Sequence, residues 1–209
     1  MIYYSNTFLI EAEIVNMNNK VETWKQIASE EVANCRIFKV RRDICQRESD
    51  GAEHNFFVIE NPDWVNVIAL TKDKEVIVIE QFRHGTKEIT IEFPGGMVDG
   101  EEDAGVAAAR ELLEETGFAP QREMISLGKS RPNPAIQNNW LYHFLALDCE
   151  KTHEVEFDET ESVLTKLVPI AEVEELIANE TITHSAVLVA FHKFTIFLKQ
   201  QVNNKFYEN

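Results

Sequence analysis

Apolar and polar positions alternate along residues 35–45 (CRIFKVRRDIC), and a β-rich run at 54–60 (HNFFVIE) follows a Ser49-Asp50-Gly51 turn signal. Strict alternation places one set of side chains on each face of a strand, so this stretch predicts an antiparallel hairpin. Two further β-rich runs, 64–70 and 75–82, flank a polar turn at Thr71 to Lys74 and predict paired strands of a central sheet. A short strand at 89–93 is ended by Pro94-Gly95-Gly96. Ala, Arg, Leu and Glu then dominate, which predicts a helix over 103–116 with Gly117 at its C-cap. Strands return at 124–129, 140–147 and 163–169, and apolar spacings of three and four predict closing helices at 170–179 and 184–200. Strands interrupted by one central helix and closed by helices make an α+β layered sandwich.

The same pattern divides the chain. Residues 1–20, of mixed polarity with Asn16, Asn18 and Asn19 at their end, are expected to form a flexible arm. Residues 21–60 are expected to form a β-hairpin extension, and 61–209 the main domain with C-terminal helices. A chain of 209 residues is long enough for one domain with its own core.

Charge narrows the function. The net charge of −16, from 36 acidic and 20 basic side chains, opposes binding to nucleic acid or to an anionic membrane. An enzyme acting on phosphates under such a field needs local cations, and divalent metal supplies them. Cys35, Cys45 and Cys149 form no C-x-x-C pair, which speaks against a zinc site or a disulfide framework and for reduced thiols in the cytoplasm. The N-terminus has no basic region and is interrupted by Glu11 and Glu13, unlike a signal peptide, and no apolar run approaches the ~20 residues of a membrane span.

The expected central helix carries the chemistry. Glu111 and Glu114 are three apart and Glu111 and Glu115 four apart, so the carboxylates converge on one part of its surface, beside Arg110. Like charges at these spacings repel, and the helix C-terminus is itself partly negative. A solvated acidic face is the ordinary explanation of such a cluster. Here a tight Pro94-Gly95-Gly96 turn leads in, and hard oxygen ligands of this kind suit Mg²⁺ or Mn²⁺, which keep waters and bridge to phosphates.

Gly96, Glu102, Arg110-Glu111-Leu112, Glu114-Glu115, Gly117 and Phe118 match every fixed position of G-x5-E-x7-R-E-U-x-E-E-x-G-U, where U is bulky and apolar. The chain therefore resembles the Nudix hydrolases, and the resemblance runs from about residue 24 to 191. VIVIEQFRHG, EFPGG, RPNPAIQNN and FDETESV, with Pro132 fifteen residues after Gly117, make it most similar to the ADP-ribose pyrophosphatase-like branch. The implied fold is a Nudix-type α/β/α sandwich with a mixed central sheet and an N-terminal β extension.

The resemblance implies Glu111 and Glu115 as metal ligands, with Glu114 a further or water-mediated one and the Gly95 carbonyl another. Arg110 would orient the glutamates, and Glu102 would pair with Arg110 or cap the loop. A carboxylate of the late acidic segment, Glu161 ahead of Glu159, would act as base. Arg83 would contact substrate phosphates, though a rim salt bridge is its ordinary alternative, and Pro132 would shape the pocket. Trp24, Phe38 and Trp64 are candidates to stack on a nucleobase, or are core aromatics. The implied reaction is metal-dependent hydrolysis of a nucleoside diphosphate derivative, ADP-ribose or another nucleoside diphosphate sugar. Alternatives are a dinucleoside polyphosphate, an oxidised nucleotide, a coenzyme or an RNA 5′ end, or a module that senses a nucleotide without cleaving it. Relatives of this branch often complete their site with the N-terminal segment of a second subunit, which implies a homodimer.

Overall fold

The computed structural model describes residues 21–155 and 162–207, with side chains described as far as residue 202. The arm expected at 1–20 and the acidic segment 156–161 lie outside the described residues. Two sheets form. The N-terminal one is antiparallel, in the order β1 (Trp24–Asn34), β2 (Lys39–Arg47) and β3 (Glu53–Glu60). The extension is thus three strands, not the expected hairpin. The missed strand, WKQIASEEVAN, is exposed along nearly its whole length and has no apolar alternation to announce it. It is held by backbone pairing to β2 and by cross-strand polar contacts: Arg42 to Glu30 at 2.8 Å, Lys39 to Glu31 at 2.9 Å, and the Ser29 hydroxyl to the buried Asp43 at 2.6 Å. Residues 35–38, expected to open the second strand, instead make the turn, in which Cys35 N donates to Phe38 O.

The central sheet runs in the order β10 (Val163–Pro169), β5 (Glu75–Arg83), β4 (Trp64–Thr71), β9 (Leu141–Lys151) and β7 (Phe118–Ala119). On its flanks β6 (Glu88–Glu92) pairs with β5 and β8 (Ile125–Ser130) with β9. It is mixed, because β4 and β9 are parallel while their other pairings are antiparallel. Alternation along β4 sorts the core. Val65, Val67 and Ala69 face α1 (Ala104–Thr116) through Ala107, Ala108 and Leu112, whereas Ile68 and Leu70 face α2 (Ile170–Ala178) and α3 (Ser185–Tyr207) through Val173, Val187, Ala190 and Phe194. The layers are therefore helix, sheet, helix.

Local chemistry sets the ends of α1. The Asp103 carboxylate caps its N-terminus, accepting from Gly105 N at 2.8 Å and Val106 N at 3.3 Å, and such a cap contributes about 1 kcal/mol. Full burial of Leu112 adds about 2 kcal/mol. Each like-charge pair among its glutamates costs only ~0.2–0.5 kcal/mol, so packing wins and the helix forms despite them. Gly117 ends the helix at φ 73°, donating to Leu113 O at 2.8 Å. A Cβ there would lie 2.1 Å from His153 O, so the glycine is required twice, by conformation and by space. Gly117→Ala is expected to destabilise the fold by at least about 1–3 kcal/mol in urea denaturation; an unchanged midpoint would contradict this account of the cap.

Candidate active site

The site is built where the turn after β6 is laid against β4. Val67 N donates to Pro94 O at 2.8 Å and Val65 N to Gly96 O at 2.9 Å, so the irregular segment 94–96 runs antiparallel beside β4. Amide and carbonyl of one residue in a strand point the same way, and neighbours alternate. Gly95 therefore turns both its groups away from β4. Its N–H donates to the Glu115 carboxylate at 2.8 Å, and its carbonyl lies between those of Pro94 and Gly96, which both accept from β4, so alternation turns it away from that strand. Any side chain at 95 would collide, since a Cβ would lie 2.2 Å from Val65 O. At Gly96 a Cβ would lie 2.4 Å from the Glu111 carboxylate, so this glycine makes room for the second acid.

Arg110 gathers the remaining carboxylates. Its Nη1 donates to Glu111 at 2.9 Å and Glu114 at 3.1 Å, its Nη2 to Glu102 and to Met97 O at 3.0 Å, and its Nε to Glu102 at 3.2 Å. The guanidinium is held further toward its charged form, first by its bonds to Glu102. Glu102 is lowered by the same contact, and it pairs with Arg110 rather than facing the two central glutamates. Glu114 is exposed and meets solvent beyond Arg110.

Glu115 is different. Burial pushes its carboxyl up to about 8, and the neighbouring negative Glu111 adds to this against the lowering effect of the Gly95 N–H. Burial also raises Glu111, although Arg110 opposes it. Two carboxylates held at protein cost, next to a backbone carbonyl, form a donor set that fits a hard divalent cation. Mg²⁺ characteristically takes one or two carboxylates and completes its shell with water and phosphate oxygens. Among the described residues no group of three or more His, Cys, Asp or Glu side chains is placed to hold a metal ion by itself.

Sequence reasoning passed over Glu92, which EFPGG contains. It is buried in β6, where Arg83 grips it with two bonds, Nε at 2.7 Å and Nη2 at 2.8 Å, and the Thr90 hydroxyl adds a third at 2.6 Å. Burial pushes its carboxyl up, but these bonds outweigh it and the net shift is downward. Arg83 is thus an ion-pair partner at the sheet edge, its charge also acting on Glu115. Among the described residues Glu92 is bonded through Arg83 Nε and Nη2, and Nη1 takes no part in that pair. A glutamate in a short strand of alternating character gave no signal to separate it from an exposed one.

The other expected site residues are dispersed. Trp24 makes edge contacts with Phe56 at 5.2 Å and His54 at 5.4 Å inside the N-terminal sheet. Trp64 opens β4 and by alternation shares the α3 side with Ile68, away from the face that carries α1. Pro132 lies in the β8–β9 loop, which is tied to the N-terminal extension by Ile59 N to Ile136 O at 2.7 Å and Asn61 N to Asn138 Oδ1 at 3.2 Å. Glu159 and Glu161 lie outside the described residues. A cavity of about 710 Å³ opens between the Arg36–Ile37 turn, Asp63, Tyr142 and the Met97–Ala104 loop. It reaches Glu102 and not Glu111 or Glu115, so it borders the Arg110 side of the platform.

A family model described as the NUDIX domain matches residues 61–191. The chain is 28% identical over 167 residues to a methanol dehydrogenase activator of Bacillus methanolicus, spanning 79% of this chain and 89% of that protein. It is 24% identical over 159 residues to an ADP-ribose pyrophosphatase of Bacillus subtilis (strain 168), spanning 76% and 85%. A crystal structure of an ADP compounds hydrolase superposes with TM-score 0.76 at 24% identity, covering 88% of this chain and 98% of that one, which shows the shared fold.

The Glu115 carboxyl generates a pH test. Burial pushes it up to about 8, so a cation that takes Glu115 as a ligand would displace a proton below that pH. Mn²⁺ affinity is expected to rise about tenfold per pH unit up to ~8 and then to level. Titration calorimetry at several pH values checks this; a flat profile between pH 6 and 8 would exclude Glu115 as a protonated ligand.

Proposed function

The chain belongs to the Nudix family of pyrophosphohydrolases, and from that premise we propose that it hydrolyses the pyrophosphate bond of a nucleoside diphosphate sugar, with ADP-ribose the first substrate to test. One observation carries the chemistry: Glu111 and Glu115 converge on the Gly95-Gly96 turn, with the Gly95 amide fixed on Glu115 at 2.8 Å. Glu111, Glu115 and the Gly95 carbonyl would hold Mg²⁺ or Mn²⁺, and Glu114 would reach it through water. When bound, the metal neutralises the pyrophosphate and promotes attack by water near neutral pH.

The protein's own groups supply the rest. Arg110 keeps Glu111 and Glu114 in place through its charge-assisted bonds. Arg83, fixed by Glu92, offers Nη1 to a substrate phosphate. The base is assigned to the late acidic segment, Glu161 in preference to Glu159. Val163, which follows that segment, pairs with Gln81, two residues from Arg83, and this supports a base delivered near the phosphate site. Pro132 and its loop are assigned to the second half of the substrate. Similarity to the Bacillus subtilis ADP-ribose pyrophosphatase supports the choice of ADP-ribose.

A homodimer is part of the same proposal. Ile27, Val32, Phe56 and Phe57 are exposed apolar side chains of the N-terminal sheet, Phe56 and Phe57 on its opposite faces, and a second subunit would cover part of them. Trp24, in the same sheet, would then meet a nucleobase across the subunit boundary, and Trp64 is retained only as a more distant candidate. No described helix is long and apolar enough to cross a membrane.

A panel of nucleoside diphosphate sugars, run with and without Mg²⁺, is expected to yield AMP and ribose 5-phosphate from ADP-ribose only with metal. Glu115→Gln should fold normally and lose at least about a hundredfold in turnover. Retained turnover would remove the ligand assignment, and hydrolysis of none of the panel would remove the substrate class. Light scattering should give twice the mass of one chain; a monomer would contradict the dimer.

A further inference from the structure

Beneath the Gly95 turn lies a buried polar network that the proposed chemistry does not use. Asn66 of β4 and His143 of β9 are register partners, 5% and 0% exposed. Asn66 Nδ2 donates to Ala186 O, at the start of α3, at 3.0 Å. Its Oδ1 therefore accepts from His143 Nδ1 at 2.8 Å, which leaves His143 Nε2 to accept from the Ser130 hydroxyl at 2.9 Å. Four elements, β8, β9, β4 and α3, are thus joined through three side chains, those of Ser130, His143 and Asn66.

Around Asn66 the strand is apolar: Val65, Val67, Ile68 and Ala69. An apolar pair of the same size would hold the sheet as well, and what directional bonds add is a fixed relative position. The position they fix is that of the turn. The bonds from Val65 N and Val67 N bracket Asn66, so it stands directly opposite Gly95. A Cβ at Gly95 would be 2.7 Å from Asn66 Cα and 3.0 Å from Asn66 Cβ, so the turn rests on Asn66 without a gap.

We propose that Asn66 and His143 are positioning residues that set the Gly95 carbonyl at the height where a divalent cation shares it with Glu115. Displacement of Asn66 moves the turn, because nothing compressible lies between them. The proposal rests on the metal site described above, and its test is metal binding without substrate.

Mn²⁺ binding is measured by electron paramagnetic resonance on the full chain. Asn66→Leu combined with His143→Leu removes both members of the central bond and leaves only the half-buried Ser130 hydroxyl and the Ala186 carbonyl to find other partners, so the thermal midpoint is expected to fall by no more than a few degrees. Its Mn²⁺ dissociation constant should rise on the order of tenfold. His143→Asn keeps a donor toward Asn66 and should stay within about threefold. Natural affinity in the double variant, or equal weakening in His143→Asn, overturns the proposal. If the double variant does not fold, Ser130→Ala carries the test, with a rise of about two- to threefold expected and an unchanged constant overturning it. Glu115→Gln separates the two layers. If it binds weakly while the double variant binds normally, the positioning proposal alone fails; if it binds normally, the metal site fails and the positioning proposal with it.

Discussion

The hydrogen bond from Gly95 N–H to the Glu115 carboxylate joins the sheet to the central helix, and most of the site depends on it. It exists only because residues 94–96 run antiparallel along β4 in a register that turns Gly95 outward. That register in turn demands glycine at 95, since Val65 O occupies the space of a Cβ. From the helix side, Leu112 and the Asp103 cap set the position of α1, and Gly117 ends it immediately after Glu115. A backbone contact with no tolerance for a side chain therefore aligns two layers of the fold at one carboxylate.

Electrostatics explains why that carboxylate matters. A chain of net charge −16 concentrates Glu92, Glu102, Glu111, Glu114 and Glu115 around one turn, and the described cations there are Arg83 and Arg110. Arg110 serves Glu102, Glu111 and Glu114, and Arg83 serves Glu92. Among the described residues Glu115 is bonded by the Gly95 amide alone, and burial, with the negative Glu111 beside it, pushes its carboxyl up to about 8. A divalent cation, as proposed, would relieve this imbalance at the one carboxylate that neither arginine bonds among the described residues.

Much of this was legible in the sequence, for identifiable reasons. The strands and helices of the central sandwich have apolar faces at periods of two or near 3.6, and their expected bounds fall within a few residues of those found, the last helix running longest beyond its expected end. Glu111 and Glu115 of the box stand four apart on one helix, so spacing alone brings them together. β1 was not legible, because a strand exposed on both faces and paired through polar side chains leaves no hydrophobic period. Glu92 was missed for a related reason: its burial comes from Arg83 in another strand, a contact that spacing along the chain does not encode. The same holds for Asn66 and His143, which meet only because β4 and β9 are parallel neighbours. Trp24 and Trp64, singled out by residue type, are placed by the fold in the N-terminal sheet and on the α3 side of β4.

The central claim is that the acidic end of α1 is a metal platform rather than a solvated face. Anomalous diffraction from crystals soaked in Mn²⁺ tests it directly. The account predicts a peak within ligand distance of the Gly95 carbonyl and the Glu111 and Glu115 carboxylates. No peak there, or a peak on Glu102 and Glu114 at the exposed side of Arg110, would contradict it.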